Sequence, residues 1–427
     1  MYLRGSKWSM RQRRPRINWF LVILVVILIA MVAYIDRFIL PTAQTPFMAT
    51  ATVTRNPESY VVDAENLFSQ GKLQQSIDTY LEAIRIKPDD PSLYISLARV
   101  QVFDGKYADA LVNAENALLL NPTNSQAYAV RAWALTQQGD YTNADDSLKE
   151  ALQLDPNSGI AQAYKAFLYG KLYENSSGPY LDPITTAIES SKAAISLAPN
   201  SLEAHWARAY IYELTSNPEL AVQEYKAAIQ INPNISEIHL ELGVTYRGLG
   251  VIDLAIQEYN LANTYNPSDT RPYLYSSRAL ASAGQYGQAS QYAQSAVSDA
   301  PTDPYLRGNL GYMYYKNNDF PDAATQLSLA VNGGQTSDGV TVKSLPLTGG
   351  DTWIAQYYST YAILLAQLSR CSEVLPLVQT ILGGVPNDQY AVYNAGYAQQ
   401  LCVKSLGTPS PSPATQRTAT PGKTPTP

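Results

Sequence analysis

Imidazoles, thiols and carboxylates are the side chains able to do chemistry here. The chain has two histidines, two cysteines and 36 acidic residues among 427. A pair of imidazoles suits proton transfer or metal ligation. His205 and His239, however, stand 34 residues apart, in a slot that elsewhere holds Tyr94, Tyr128 and Tyr273. A recurring planar side chain marks a packing position, so an internal period accounts for the spacing. The carboxylates are scattered, and none forms a convincing general acid and base pair. A phosphate-binding glycine loop, a dinucleotide fingerprint, a nucleophile elbow and an HExxH pair are all absent. Cys371 and Cys402 lack the further cysteine or histidine that a zinc site needs. These residues predict a protein without cofactor or metal that is not an enzyme.

The period governs the whole chain. Pro88, Pro122, Pro156, Pro199, Pro233, Pro267 and Pro301 are separated by 34 residues, with a single interval of 43. Five residues before each stands an alanine: Ala83, Ala117, Ala151, Ala194, Ala228, Ala262 and Ala296. Twelve before stand Ser76, Ala110, Ala144, Ala187, Ala221, Ala255 and Ala289. Small residues at fixed points let paired helices approach closely. Gly71, Gly105, Gly139, Ser216, Gly250 and Gly284 mark the turn between the two helices of a unit, where a helix stop demands positive φ. Each proline then closes the second helix.

This pattern resembles the tetratricopeptide repeat family over roughly residues 56–403. The closest stretch is Tyr128-x-x-x-Ala132-x-x-Leu135-x-x-x-Gly139-x-Tyr141-x-x-Ala144. The resemblance implies an all-α fold, a right-handed superhelical solenoid of about nine helix–turn–helix repeats plus a capping helix near 390–403. The eighth repeat keeps Gly311, Ala323 and Ala330, and the ninth fits Ala362 and Pro386 with bulkier Val374, Val378 and Ile381 in its second helix. Insertions interrupt the array near 172–181 and 332–351. In the latter, Asp338-Gly339 before Val340-Thr341-Val342 predicts a short β-hairpin with a type I′ turn.

In this family the first helix of each repeat lines a concave surface that binds extended or helical peptides. Carried onto this sequence, the lining slots hold Arg99, Trp133, Tyr164, Phe167, Trp206, Tyr210, Arg247, Tyr275, Arg278, Tyr305, Tyr312 and Tyr315. Aromatic rings with interspersed arginines are the chemistry of interface hot spots, and about half of these rings are expected to be exposed. The family's clamp for a terminal carboxylate is missing, since its slots hold Val61, Glu65, Ile95 and Arg99. The expected function is a protein–protein interaction scaffold with partners of unknown identity. Two alternatives stay open: a cell-wall glycan binder, because aromatic platforms also stack on sugars, and a regulatory subunit of an envelope enzyme.

The ends differ in character. Residues 1–16 carry six basic residues and no acidic one, and residues 17–35 are almost wholly apolar. Nineteen residues make ~28 Å of helix, enough for one transmembrane helix. The run exceeds a usual signal-peptide core and no small-x-small site directly follows it, so an uncleaved signal anchor is expected. The positive-inside rule places the N-terminus in the cytoplasm and the repeats outside, beyond a linker at 36–55. Beyond the six N-terminal basic residues, 24 Lys and Arg face 36 Asp and Glu, a net −12 that argues against nucleic acid as a partner. Outside the membrane, Cys371 in the turn of the ninth repeat and Cys402 in the capping helix are expected to form a disulfide. Residues 404–427, rich in Pro, Thr and Ser, read as a disordered tail suited to cell-wall contact.

Overall fold

The computed structural model describes residues 18–35, 37, 56–175 and 182–407. The basic segment 1–16, the linker apart from Arg37, the centre of the first insertion and the tail past 407 lie outside the described residues.

The N-terminal unit is described by helix α1 (Trp19–Tyr34), which starts at Asn18, whose side chain accepts from the Phe20 amide. Its 16 residues are apolar and exposed. They span about 24 Å, less than the ~30 Å of a bilayer core. No described helix is long and apolar enough to cross a membrane, so the span expected over 17–35 is not shown.

In the second unit the 34-residue period becomes nine helix pairs and a capping helix. The pairs are α2 (Pro57–Ser69) with α3 (Leu73–Ile86), α4 (Pro91–Phe103) with α5 (Tyr107–Leu120), and α6 (Ser125–Gln138) with α7 (Tyr141–Leu154). Next come α8 (Gly159–Glu174) with α9 (Pro183–Leu197), α10 (Leu202–Leu214) with α11 (Pro218–Ile231), and α12 (Ser236–Gly248) with α13 (Ile252–Tyr265). The last are α14 (Arg271–Ser282) with α15 (Tyr286–Asp299), α16 (Pro304–Lys316) with α17 (Phe320–Asn332), and α18 (Thr352–Gln367) with α19 (Cys371–Gly384), capped by α20 (Gln389–Gly407).

Local chemistry sets these boundaries. Asp90, Asn124, Ser158, Ser201, Asp303 and Asp351 each cap the first helix of a pair, accepting from amides of its first turn. All six residues expected in the inter-helix turns have positive φ, from 58° at Ser216 to 82° at Gly139. Asn318 (65°) and Ser369 (60°) fill the same slot in the last two pairs. The repeated alanines are fully buried where the two helices of a pair touch. At Gly243 even a methyl group is excluded, because a Cβ there would lie 2.5 Å from the Tyr259 ring.

Both insertions differ in detail from expectation. α8 runs on to Glu174 within the first. In the second, β1 (Gly334–Gln335) pairs antiparallel with β2 (Thr341–Val342). Only Gly339 of Asp338-Gly339 has positive φ, whereas a type I′ turn needs it at both positions. The loop is instead held across Thr336 and Val340, whose amides donate to the Val340 carbonyl and the Thr336 hydroxyl, both at 2.9 Å. Val374, Val378 and Ile381 are buried as the ninth pair's contact face.

Candidate functional site

The first helices of successive repeats carry large aromatic residues toward the superhelix interior, and these rings meet one another. Phe68 packs on Phe103 at 5.3 Å, and Phe103 on Trp133 at 4.9 Å and Trp206 at 5.7 Å. Trp133 stacks on Tyr164 at 4.6 Å, and Phe167 joins Trp206 at 5.1 Å to Tyr210 at 5.7 Å. Such edge and offset arrangements add attraction beyond burial alone.

The expected exposed strip is therefore corrected. None of the twelve lining residues is exposed: Trp133, Tyr164, Phe167, Trp206 and Arg278 are buried, and the rest are half-buried. The cause is closure of the superhelix. The end of α2 meets the loop between the fifth and sixth repeats, where the Asn234 side chain donates to the Ser69 carbonyl at 2.7 Å and that of Asn232 to Phe68 at 3.4 Å. Across the interior, Arg99 pairs with Glu203 at 2.6 Å although 104 residues separate them. Burial opposes ionisation of Glu203, yet Arg99 overrides it and holds the carboxyl below its ordinary range.

The structure thus gathers Arg99, Trp133, Tyr164, Phe167, Trp206 and Tyr210 into one cluster. Phe68, Phe103 and Glu203 complete it, though the sequence pattern did not single them out. Their signal was present: bulky rings at the same helix slot in successive repeats are too large to stand as separate wet patches. The remaining residues gather further along. The buried Arg278 guanidinium lies 3.9 Å over Trp353 and donates to the Tyr305 and Tyr357 hydroxyls at 3.0 and 2.9 Å. Tyr312 meets Trp353 edge-on at 6.0 Å, Tyr315 packs on Phe320, and Arg247 lies 5.9 Å over Tyr275. Trp353 and Tyr357, on α18 after the hairpin insertion, lay outside the repeat register and so escaped sequence reasoning.

Between the first cluster and the sixth and seventh repeats lies a cavity of about 650 Å³. Its wall is Phe103, Trp133, Phe167, Trp206 and Tyr210, and its opposite side carries Glu213, Glu237 and Glu241. Burial, then the neighbouring Glu237 and Glu213, pushes the Glu241 carboxyl up to about 8. Glu213 is also raised, mainly by burial.

The two histidines lie elsewhere and in a repeated structural role. His205 Nδ1 meets Glu224 at 2.6 Å and Nε2 meets the Pro199 carbonyl at 2.9 Å. His239 repeats this with Glu258 at 2.6 Å and Pro233 at 2.8 Å. In the same slot Tyr94 donates to the Pro88 carbonyl and Arg307 to that of Pro301. The slot ties each first helix to the preceding proline turn. Cys371 and Cys402 are joined as a disulfide with Cα atoms 5.5 Å apart.

Paired helices at this period, with ring-lined first helices facing inward, define a helical-repeat scaffold rather than a catalytic domain. Family models described as TPR repeat and tetratricopeptide repeat match residues 64–102 and residues 95–159, 184–234 and 276–338 respectively. The chain belongs to the tetratricopeptide repeat family, whose members serve generally in protein–protein interaction. No curated protein sequence matches it. The crystal structure of the APC/C hetero-tetramer Cut9-Hcn1 is similar at a TM-score of 0.57 and 16% identity, covering 76% of this chain. The match spans 59% of that chain, so this protein corresponds to under two thirds of its length. Smaller likenesses include a thermophilic TPR protein of Thermus thermophilus, with a TM-score of 0.39, 22% identity and 45% and 100% of the two chains covered. PilW, a type IV pilus biogenesis factor, matches at a TM-score of 0.42 and 20% identity over 48% and 90%.

Proposed function

We propose that this protein is a membrane-anchored scaffold whose repeat array, carried outside the cytoplasm, binds segments of partner proteins within its concave interior. The observation that carries this reading is the 650 Å³ cavity lined by first-helix side chains of several repeats. Its size lies within the ~300–1,000 Å³ typical of built binding sites, and its wall combines rings with polar groups. Anchoring rests on the apolar, exposed helix Trp19–Tyr34 and on the basic run before it, which directs the N-terminus to the cytoplasm. Export agrees with the Cys371–Cys402 disulfide, a bond at home in oxidising compartments.

The test is site-specific photo-crosslinking in the native cell, with probes replacing Tyr210 and Tyr275, followed by mass spectrometry. Recurrent crosslinks to one or a few proteins, weakened from the Tyr275 probe by Tyr210→Ala, are expected. An absence of protein crosslinks from both positions would remove the scaffold reading in favour of a glycan ligand. Protease added outside intact cells should digest the repeats, and their protection would reverse the topology.

A further inference from the structure

The charges lining the cavity do not balance. Asp104, Glu174, Glu213, Glu237 and Glu241 face only Lys171 and Arg271. Both cations are already committed, Lys171 to Glu174 at 2.8 Å and Arg271 to Glu237 at 2.7 Å, while Asp104 meets Lys106 at 2.7 Å. Glu213 accepts from the Tyr225 hydroxyl at 2.9 Å and from Thr245, but meets no cation among the described residues. The Glu241 carboxyl, on the next first helix, makes no hydrogen bond among them. Carboxylates withdrawn from water are normally paired, so two without a cation call for one from outside.

Two further observations point to the kind of cation. The facing wall is aromatic, and Trp133 within it is fully buried with an Nε1–H that has no acceptor among the described residues. The same interior already holds one organic cation in this manner. The Arg99 guanidinium lies 4.8 Å over Phe68 and 5.5 Å over Phe103 and bonds to Glu203. Glu213 and Glu241 opposite Phe167 and Trp206 repeat that combination of ring faces and carboxylate without its cation. A metal ion does not fit, because no three His, Cys, Asp or Glu residues among those described are grouped to hold one.

We infer that the cavity receives a cationic side chain, the ammonium or guanidinium of a lysine or arginine carried by an extended segment of the partner protein. This rests on the segment-binding reading and names the residue type recognised. Glu213 and Glu241 supply the counter-charge, and the Phe167 and Trp206 rings supply the bed. Glu241 also couples binding to pH. Its neighbours are Glu237 on its own helix, Glu213 and Tyr210 on α10, Tyr225 on α11, Lys171 and Glu174 on α8, and Arg271 on α14. With its pKa near 8, the empty site holds a proton there at neutral pH. An incoming cation displaces that proton, so binding tightens as pH rises.

Isothermal titration calorimetry of the full chain tests this with a peptide panel whose central residue is Lys, Arg, norleucine or Glu. Lys and Arg peptides are expected to bind about tenfold tighter than the norleucine peptide, a ~1.4 kcal/mol preference. The preference should grow from pH 6 to 9 and vanish in the Glu213→Gln, Glu241→Gln double variant. Equal binding of norleucine and Lys peptides, lost on Trp206→Ala, would keep the segment reading and overturn the cation. Failure of every peptide would remove both. Should the double variant not fold by circular dichroism, the unaltered chain still decides, since a pH-independent Lys preference overturns the proposal.

Discussion

At the residue scale, the histidines show how a reactive group is turned to structural use. Each imidazole meets a carboxylate on one nitrogen and a proline carbonyl on the other, so the doubly protonated ring satisfies both acceptors. For His205 the hydrogen bond to Glu224 raises the pKa above its ordinary 6.5, burial opposes this, and the Pro199 carbonyl adds to the rise. A raised folded-state pKa contributes stability that is fully present below the unfolded value and lost as pH rises through the folded one. His205→Gln should therefore destabilise most at pH 5–6. The difference in Tm from the unaltered protein should shrink toward pH 9, which thermal unfolding across that range would measure. An equal difference at every pH would show that the ring contributes by packing alone.

Between elements, contacts rest on atoms that are not there. Gly243 lets α12 approach α13 so closely that the buried Tyr259 ring occupies the place of a side chain. Alanine would favour the helix by ~0.8–1 kcal/mol. The methyl would meet a ring fixed on all sides, and overpacking of this kind costs typically 1–3 kcal/mol, so the clash wins. Gly243→Ala should lower stability by about 1–2 kcal/mol in urea unfolding, with the slope unchanged. At the other end of the array, the disulfide closes a 31-residue separation and ties α19 to α20. In the chain-entropy account a loop of this length is worth roughly 3–4 kcal/mol. Reduction, or Cys402→Ala, should raise amide exchange in α19 and α20 first and leave α4–α7 protected, because repeats transmit stability mainly to their neighbours. Uniform loss of protection along the chain would contradict that.

For the repeat array as a whole, the decisive feature is its closure. Arg99 and Glu203 lie on helices α4 and α10, far apart in chain order, and their bond together with Asn234 fastens the first two repeats to the fifth and sixth. Glu203 is buried, so removing its charge leaves Arg99 without a counter-ion and costs about 3–5 kcal/mol. Glu203→Gln should open the N-terminal repeats, raising the radius of gyration measured by small-angle scattering while helix content by circular dichroism stays constant. An unchanged radius would mean that the aromatic cluster alone keeps the turn closed.

Residue spacing alone determined the helix pairs, their turns and their small-residue contacts, because each depends on neighbours within about 34 residues along the chain. Thus Ala83 and its six equivalents, the positive-φ turn slots and the irregular ninth repeat were all legible in order of appearance. The lining residues were legible as a set, since a fixed slot on the first helix always faces inward. Their exposure was not. It depends on superhelical pitch, a sum of small rotations over several repeats, and on whether Asn234 reaches Ser69 at the end of that turn. Only the tertiary structure decided that the rings bury one another, that Glu203 faces Arg99, and that Glu213 and Glu241 share a cavity without a cation. Those contacts join positions with no common register, and their energies come from water being excluded when distant repeats close.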